Sequence, residues 1–137
     1  MTFSLDTNVF VELIRNRNQN VRRNFQQVLH EEHLVGSLIV LHELYFGAER
    51  HHDPASEREA IRETLANVEI APFDAGDMTM AARIRGQLAA RGLPVGPYDL
   101  LIAGQALARG WTVVTANTTE FARIDGLNVI DWTTPAD

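Results

Sequence analysis

The chain has 137 residues, 45% of them hydrophobic, and a formal net charge of -6, which fits one globular domain over 1–137 and argues against a protein that coats polyanions. It has no cysteine and no lysine, all twelve basic residues being arginine, which excludes disulfides, thiol nucleophiles, zinc ribbons, Schiff-base chemistry and a lysine-bearing phosphate loop. No apolar run is long enough to span a bilayer and "MTFSLDT" lacks the layout of a signal peptide, so the expectation is a cytoplasmic protein without membrane contact.

The elements follow in chain order. Residues 3–6 read as a short buried strand that stops at Asp6, and "NVFVELIRN" after it has helical apolar spacing. A second helix covers 20–32, with Val21, Phe25, Val28 and Leu29 inward. "HLVGS", 33–37, is a strand, and "IVLHELYFGAER", 39–50, a helix with Leu41, Leu44, Tyr45 and Ala48 on its apolar face. Pro54 makes "HHDPAS" a turn, with Ser56 as cap and Glu59 three residues on, opening a helix over 57–68. "VEIAPF" is a third strand. Asp74 opens a long helix ending at Gly92, with Met78, Ala81, Ala82, Ile84 and Leu88 inward. "LPVGP" is a rigid loop, and Pro97 starts the helix that Gly110 ends. "WTVVTA" is a strand, "EFARI" a short turn, and "NVIDW" a last strand. Strands alternating with helices predict an α/β fold, a three-layer α/β/α sandwich around a mostly parallel sheet.

Four acids fall at equivalent places on this map. Asp6 ends the first strand, Glu43 lies early in the helix after the second, Asp99 opens the helix behind "GLPVGP", and Glu120 follows "TVVTAN". A parallel sheet puts strand ends and the helix starts after them on one edge, so these acids would meet on one rim. Each also has an ordinary reading: Asp6 caps a helix, Glu43 is a solvated helix residue, and Asp99 and Glu120 complement helix dipoles. Packed carboxylates raise one another's pKa unless a cation lies between them. An all-oxygen set favours a hard ion, Mg²⁺ or Mn²⁺, able to activate water and neutralise a phosphodiester. Thr7, Asn8, Ser37, Thr115 and Asn117 are polar neighbours that orient carboxylates or simply cap helices. The histidines form no metal-ligand spacing, and Arg15, Arg17, Arg22 and Arg23 read as a solvated helical face.

"LDTNVF", "LHELYFGAER", "GLPVGPYDLLIAGQALARG" and "TVVTANTTEFARIDGLNVIDW" together resemble PIN-domain ribonucleases, and more narrowly VapC-type toxins of bacterial toxin–antitoxin pairs. The resemblance runs through nearly the whole chain in order. It implies metal-dependent endoribonuclease activity, an RNA substrate such as a tRNA or another structured RNA, a VapB-type antitoxin partner, and a homodimer or larger toxin–antitoxin hetero-oligomer. It carries the catalytic, metal-holding acid set onto Asp6, Glu43, Asp99 and Glu120. Many relatives have an aspartate where this chain has Asn117, which puts the fourth position in doubt between Asn117 and Glu120. In-line hydrolysis by water would leave 5′-phosphate and 3′-hydroxyl ends.

Two other readings compete. A haloacid-dehalogenase-type phosphatase needs a second aspartate where this chain has Asn8, and it needs a lysine, as does a receiver domain. A non-catalytic PIN-like module that binds RNA or protein would gain nothing from a cluster of repelling carboxylates.

Overall fold

The computed structural model describes residues 1–135, so the last two residues of the expected domain lie outside the described residues. In chain order the elements are β1 (Thr2–Leu5), α1 (Thr7–Arg15), α2 (Gln19–Glu31), β2 (His33–Ser37), α3 (Leu38–Glu49), α4 (Pro54–Leu65), β3 (Glu69–Ala71), α5 (Ala75–Ala90), α6 (Pro97–Arg109), β4 (Thr112–Val114), α7 (Thr118–Phe121) and β5 (Asn128–Ile130). Among the described residues the strands make one five-stranded sheet in the order β3-β2-β1-β4-β5, and each neighbouring pair is parallel. The expected mostly parallel sheet is thus wholly parallel here. Parallel neighbours need long crossovers, which the helices supply while covering both faces as the outer layers of the sandwich. With both faces covered, strand residues are apolar in succession: Leu34 and Val35 in β2 and Val113 and Val114 in β4 are all buried.

The strand order reverses at the centre. The chain runs from β1 outward to β2 and β3 on one side, then returns to place β4 and β5 on the other. Ligand sites of open parallel sheets lie at the carboxyl ends of the strands flanking such a reversal, here β1 and β4. One connected core holds this arrangement together, with Phe10 of α1, Ile102 of α6 and Phe121 of α7 fully enclosed. Each such side chain contributes roughly 2 kcal/mol by leaving water. The helices α5 and α6 meet at Gly104, where a Cβ would come within 2.6 Å of the Ala81 Cβ. Only the missing side chain permits that approach.

Several local expectations are corrected. Asp53, not Ser56, caps α4: its carboxylate accepts from the Ser56 N–H, and Pro54 takes the first helical position. Pro54 disfavours helix at the residue before it, not at itself, so the helix begins inside the expected turn. In α5, Met78 is 50% exposed and Ala82 is exposed; the inward stripe is Asp77, Ala81, Ile84 and Leu88. The reading by hydrophobicity passed over Asp77 because a buried acid carries no apolar signal. The capping box expected at Ser56 is found instead at Asp74 and Asp77. The last two strands keep three residues each, and residues 118–121 form a single helical turn.

Candidate active site

Asp6 follows β1 directly, and its N–H donates to the Val114 carbonyl of β4 at 2.9 Å, so it sits in the crevice where the strand order reverses. Its side chain is 2% exposed. One carboxylate oxygen accepts from the Thr7 N–H at 2.8 Å, which makes Asp6 the N-cap of α1. The other accepts from the Thr115 hydroxyl at 2.8 Å. The capping reading of Asp6 and the rim reading therefore both hold. Burial pushes the Asp6 carboxyl above the usual range; the Thr115 and Thr7 donors oppose this, and the charges of Glu43 and Glu120 add to it.

The other three acids gather around it through shared donors. The Thr7 hydroxyl donates to Glu43 Oε1 at 2.7 Å, tying α1 to α3. Thr115 accepts from the Asn117 N–H at 2.9 Å while it donates to Asp6. The Asn117 amide donates to Asp99 Oδ2 at 3.3 Å and to Glu120 Oε2 at 2.6 Å. Glu120 Oε1 accepts from the Gly96 N–H at 2.7 Å. Asp99 is pushed up to about 6 by burial first, then by Asp6 and Glu120, with Asn117 opposing. Glu120 is lowered by the Asn117 amide, then by the Gly96 N–H, with a contribution from Arg123.

Not every residue singled out joins this network. Asn8 is exposed, enters no side-chain hydrogen bond among the described residues, and lines a separate groove of about 240 Å³ with Glu12, Ala116 and Asp131. Ser37 is buried and spends its hydroxyl accepting from the Ile39 N–H, so it caps α3 and helps the rim only by fixing the helix that carries Glu43. Arg15, Arg17, Arg22 and Arg23 are all exposed, as a solvated face requires, and the first three also bond Glu57, Glu12 and Asn16. The sequence reading missed Gly96 as a donor to the site. No pattern in the sequence pointed to it, since the Gly96 backbone is ordinary and its amide is brought to Glu120 only by the fold.

The donor set suits a hard divalent ion. It is all oxygen, two of its members are pushed up by burial with neighbouring acids adding to it, and hydroxyl and amide donors orient its carboxylates. Among the described residues no three acidic or histidine side chains already close around one point; the acids stand as a rim.

The model of the PIN domain family matches residues 4–127. The chain belongs to the PIN-domain family. Within it the tRNA(fMet)-specific endonuclease VapC of Shigella flexneri is 38% identical over 132 residues, which are 96% of this chain and 98% of that protein. The protein of the same name from Salmonella typhimurium is 37% identical over the same shares. The structure of VapBC2 from Rickettsia felis, bound to a DNA fragment from their promoter, superposes with a TM-score of 0.92 at 31% identity, covering 96% of this chain and 99% of that one. DNA-bound VapBC from Salmonella typhimurium gives 0.90 at 36% identity, covering 96% and 98%. This PIN domain is thus of the VapC type from end to end of the match, and the expected resemblance stands.

Proposed function

We propose that this PIN domain is a divalent-metal-dependent endoribonuclease and the toxin of a VapBC-type pair, acting in the cytoplasm on a tRNA or another structured RNA and held in check by a VapB-type antitoxin. The single observation that carries the reading is the rim itself: acids from four distant segments converge at the strand-order reversal, where burial first and the charges of neighbouring acids after it push Asp6 and Asp99 up. The relatives named as endonucleases, and the VapBC assemblies among the structural neighbours, support the activity and the partner. They favour this reading over a non-catalytic binding module, for which a repelling cluster has no use.

Asp6, Glu43 and Asp99 would hold Mg²⁺ or Mn²⁺, with Glu120 completing the negative rim. When bound, such an ion supplies Lewis acidity toward a phosphodiester and toward water. The chain's own residues prepare that chemistry. Thr115 and the Thr7 N–H fix the two Asp6 oxygens, so the carboxylate does not turn when RNA enters. The Thr7 hydroxyl aims Glu43 at the same crevice, and Asn117 aims Asp99. Cleavage of purified, partner-free protein on total tRNA and on a generic RNA, with Mn²⁺ and with chelator, tests the reading. Discrete metal-dependent cuts with 5′-phosphate ends are expected, lost in Asp6→Asn and Asp99→Asn. Cuts that persist in both variants, or 2′,3′-cyclic phosphate ends, would overturn the mechanism.

A further inference from the structure

Glu120 differs from the other acids in what it holds. Its two oxygens bond two different parts of the molecule: Oε1 takes the Gly96 N–H at 2.7 Å, and Oε2 takes the Asn117 amide at 2.6 Å. Gly96 is the N-cap of α6, and its carbonyl accepts the first helical bond, from the Leu100 N–H at 2.9 Å. The residue has no side chain with which to anchor itself, so the helix that presents Asp99 has its start fastened from outside. Asn117, gripped by the same Glu120, reaches Asp99 directly at 3.3 Å. Glu120 therefore touches Asp99's position twice, once through the backbone that precedes it and once through a shared amide.

A second tie runs alongside. The Arg123 guanidinium donates to the Pro94 carbonyl at 2.6 Å, and Arg91 donates to the Arg123 carbonyl at 3.4 Å. The loop between α5 and α6 is thus strapped to the segment around α7 at three points. Asp6 is also fully hydrogen-bonded, so bonded oxygens alone do not separate a ligand from a strut. What separates them is the partner: Asp6 is held by donors next to it and on β4's end, whereas Glu120 holds a loop that has no side-chain cap of its own.

We infer that Glu120 and Arg123 are positioning residues, a latch that fixes the 91–96 loop and the start of α6, so that Asp99 is presented to the site. The inference rests on the nuclease reading for its catalytic consequence, but the latch itself is a property of the metal-free chain. Two measurements test it. In metal-free protein, hydrogen exchange at the Gly96 amide is expected to accelerate at least tenfold in Glu120→Ala and at least threefold in Arg123→Ala. Mn²⁺ binding by titration is expected to stay within about threefold of wild type in both, while Asp99→Asn weakens it at least tenfold. In cleavage both latch variants should lower kcat more than they raise KM, and Glu120→Gln, which keeps an acceptor for Gly96 but turns a donor toward the Asn117 amide, should recover part of the loss.

Unchanged Gly96 exchange in Glu120→Ala overturns the latch, and a loss of Mn²⁺ affinity there equal to that of Asp99→Asn overturns it by making Glu120 a metal ligand. The two readings fail separately. If wild type neither binds Mn²⁺ nor cuts RNA, the nuclease reading falls, and the exchange experiment still decides whether the latch exists.

Discussion

Two buried aspartates have opposite fates in this molecule. Asp6 and Asp77 are each 2% exposed, and each caps or braces the start of a helix. Burial pushes both upward. At Asp77 the push is overcome, chiefly by the Arg109 guanidinium, which donates to Oδ1 at 3.1 Å and to Oδ2 at 2.8 Å, and then by the Asp74 N–H and the Gln105 amide, so its carboxyl lies below the usual range. Arg109 is itself fixed by the Pro72 carbonyl and lies over the Trp111 ring. At Asp6 the neighbours are hydroxyl and amide donors plus two more acids, and the carboxyl stays raised. The chain supplies its own cation where a carboxylate serves the fold. At Asp6 no cation of the chain lies among the hydrogen-bond partners, which is what the proposed metal-holding role calls for.

The largest effects come from exchanging the two kinds of acid. On the proposed function, Asp99→Asn should reduce RNA cleavage at least a hundredfold, since it removes charge that would hold the cation, yet leave the melting temperature of metal-free protein equal or higher. Asp77→Ala should do the reverse. It removes the buried acceptor that Arg109 and Gln105 share, leaving them the Pro72 carbonyl, and costs about 3 kcal/mol, a fall of roughly 10 °C in melting temperature, while the folded fraction keeps cleavage within a few-fold. Melting curves and initial rates on the same two variants check both halves. If Asp99→Asn destabilised the metal-free chain as much as Asp77→Ala, the contrast between the two sites would be lost.

A smaller effect tests whether the distinction extends to packing. Gly104→Ala places a methyl 2.6 to 2.8 Å from Ala81 atoms, backbone among them, on the seam between α5 and α6. Relief requires the helices to separate, which should cost about 2 kcal/mol, read as a lower urea midpoint at unchanged slope. Because α6 also presents Asp99, this variant is expected to lower cleavage as well, by several-fold. That separates it from Asp77→Ala, whose damage is confined to stability.

Much of this was legible before the structure. Asp6, Glu43, Asp99 and Glu120 share the edge that alternation of strands and helices implies, because a parallel sheet leaves few other places for them. Period and breaker residues located α6 between Pro97 and Gly110, where Gly110 takes the left-handed φ of 69°. The pairings Asp77–Arg109 and Arg15–Glu57 were not legible. Each joins residues more than thirty apart on different helices, and neither leaves a periodic trace. Met78 and Ala82 were misplaced for a related reason: in α5 the inward stripe begins with a charged residue, so the apolar pattern pointed one step aside. Gly96 lies inside the rigid loop "LPVGP", and its amide matters only once Glu120 is brought beside it.

The smallest expected effect sharpens the comparison most cleanly. Burial and the neighbouring acids push the Asp99 carboxyl up from 3.8 to about 6, so on acidification the folded chain takes up this proton before the unfolded chain does. A raised folded pKa means that the group costs stability at pH 7, and that the cost is relieved as pH falls from about 7 toward 4. Asp77 has the opposite sign: its contribution is full above the ordinary aspartate value and is lost only as pH falls below it toward the lowered folded one. Asp99 is only partly buried, so solvent screening reduces its share to about 1 kcal/mol, or roughly 3 °C. In chelator, the difference in melting temperature between Asp99→Asn and wild type should be positive at pH 7.5 and shrink toward zero by pH 5. Saturating Mn²⁺ should remove or invert it at pH 7.5, because an ion in the rim stabilises the charged carboxylate that the proton would otherwise neutralise. A difference that stayed flat across this range in chelator would mean that the rim is already compensated within the chain, as Asp77 is.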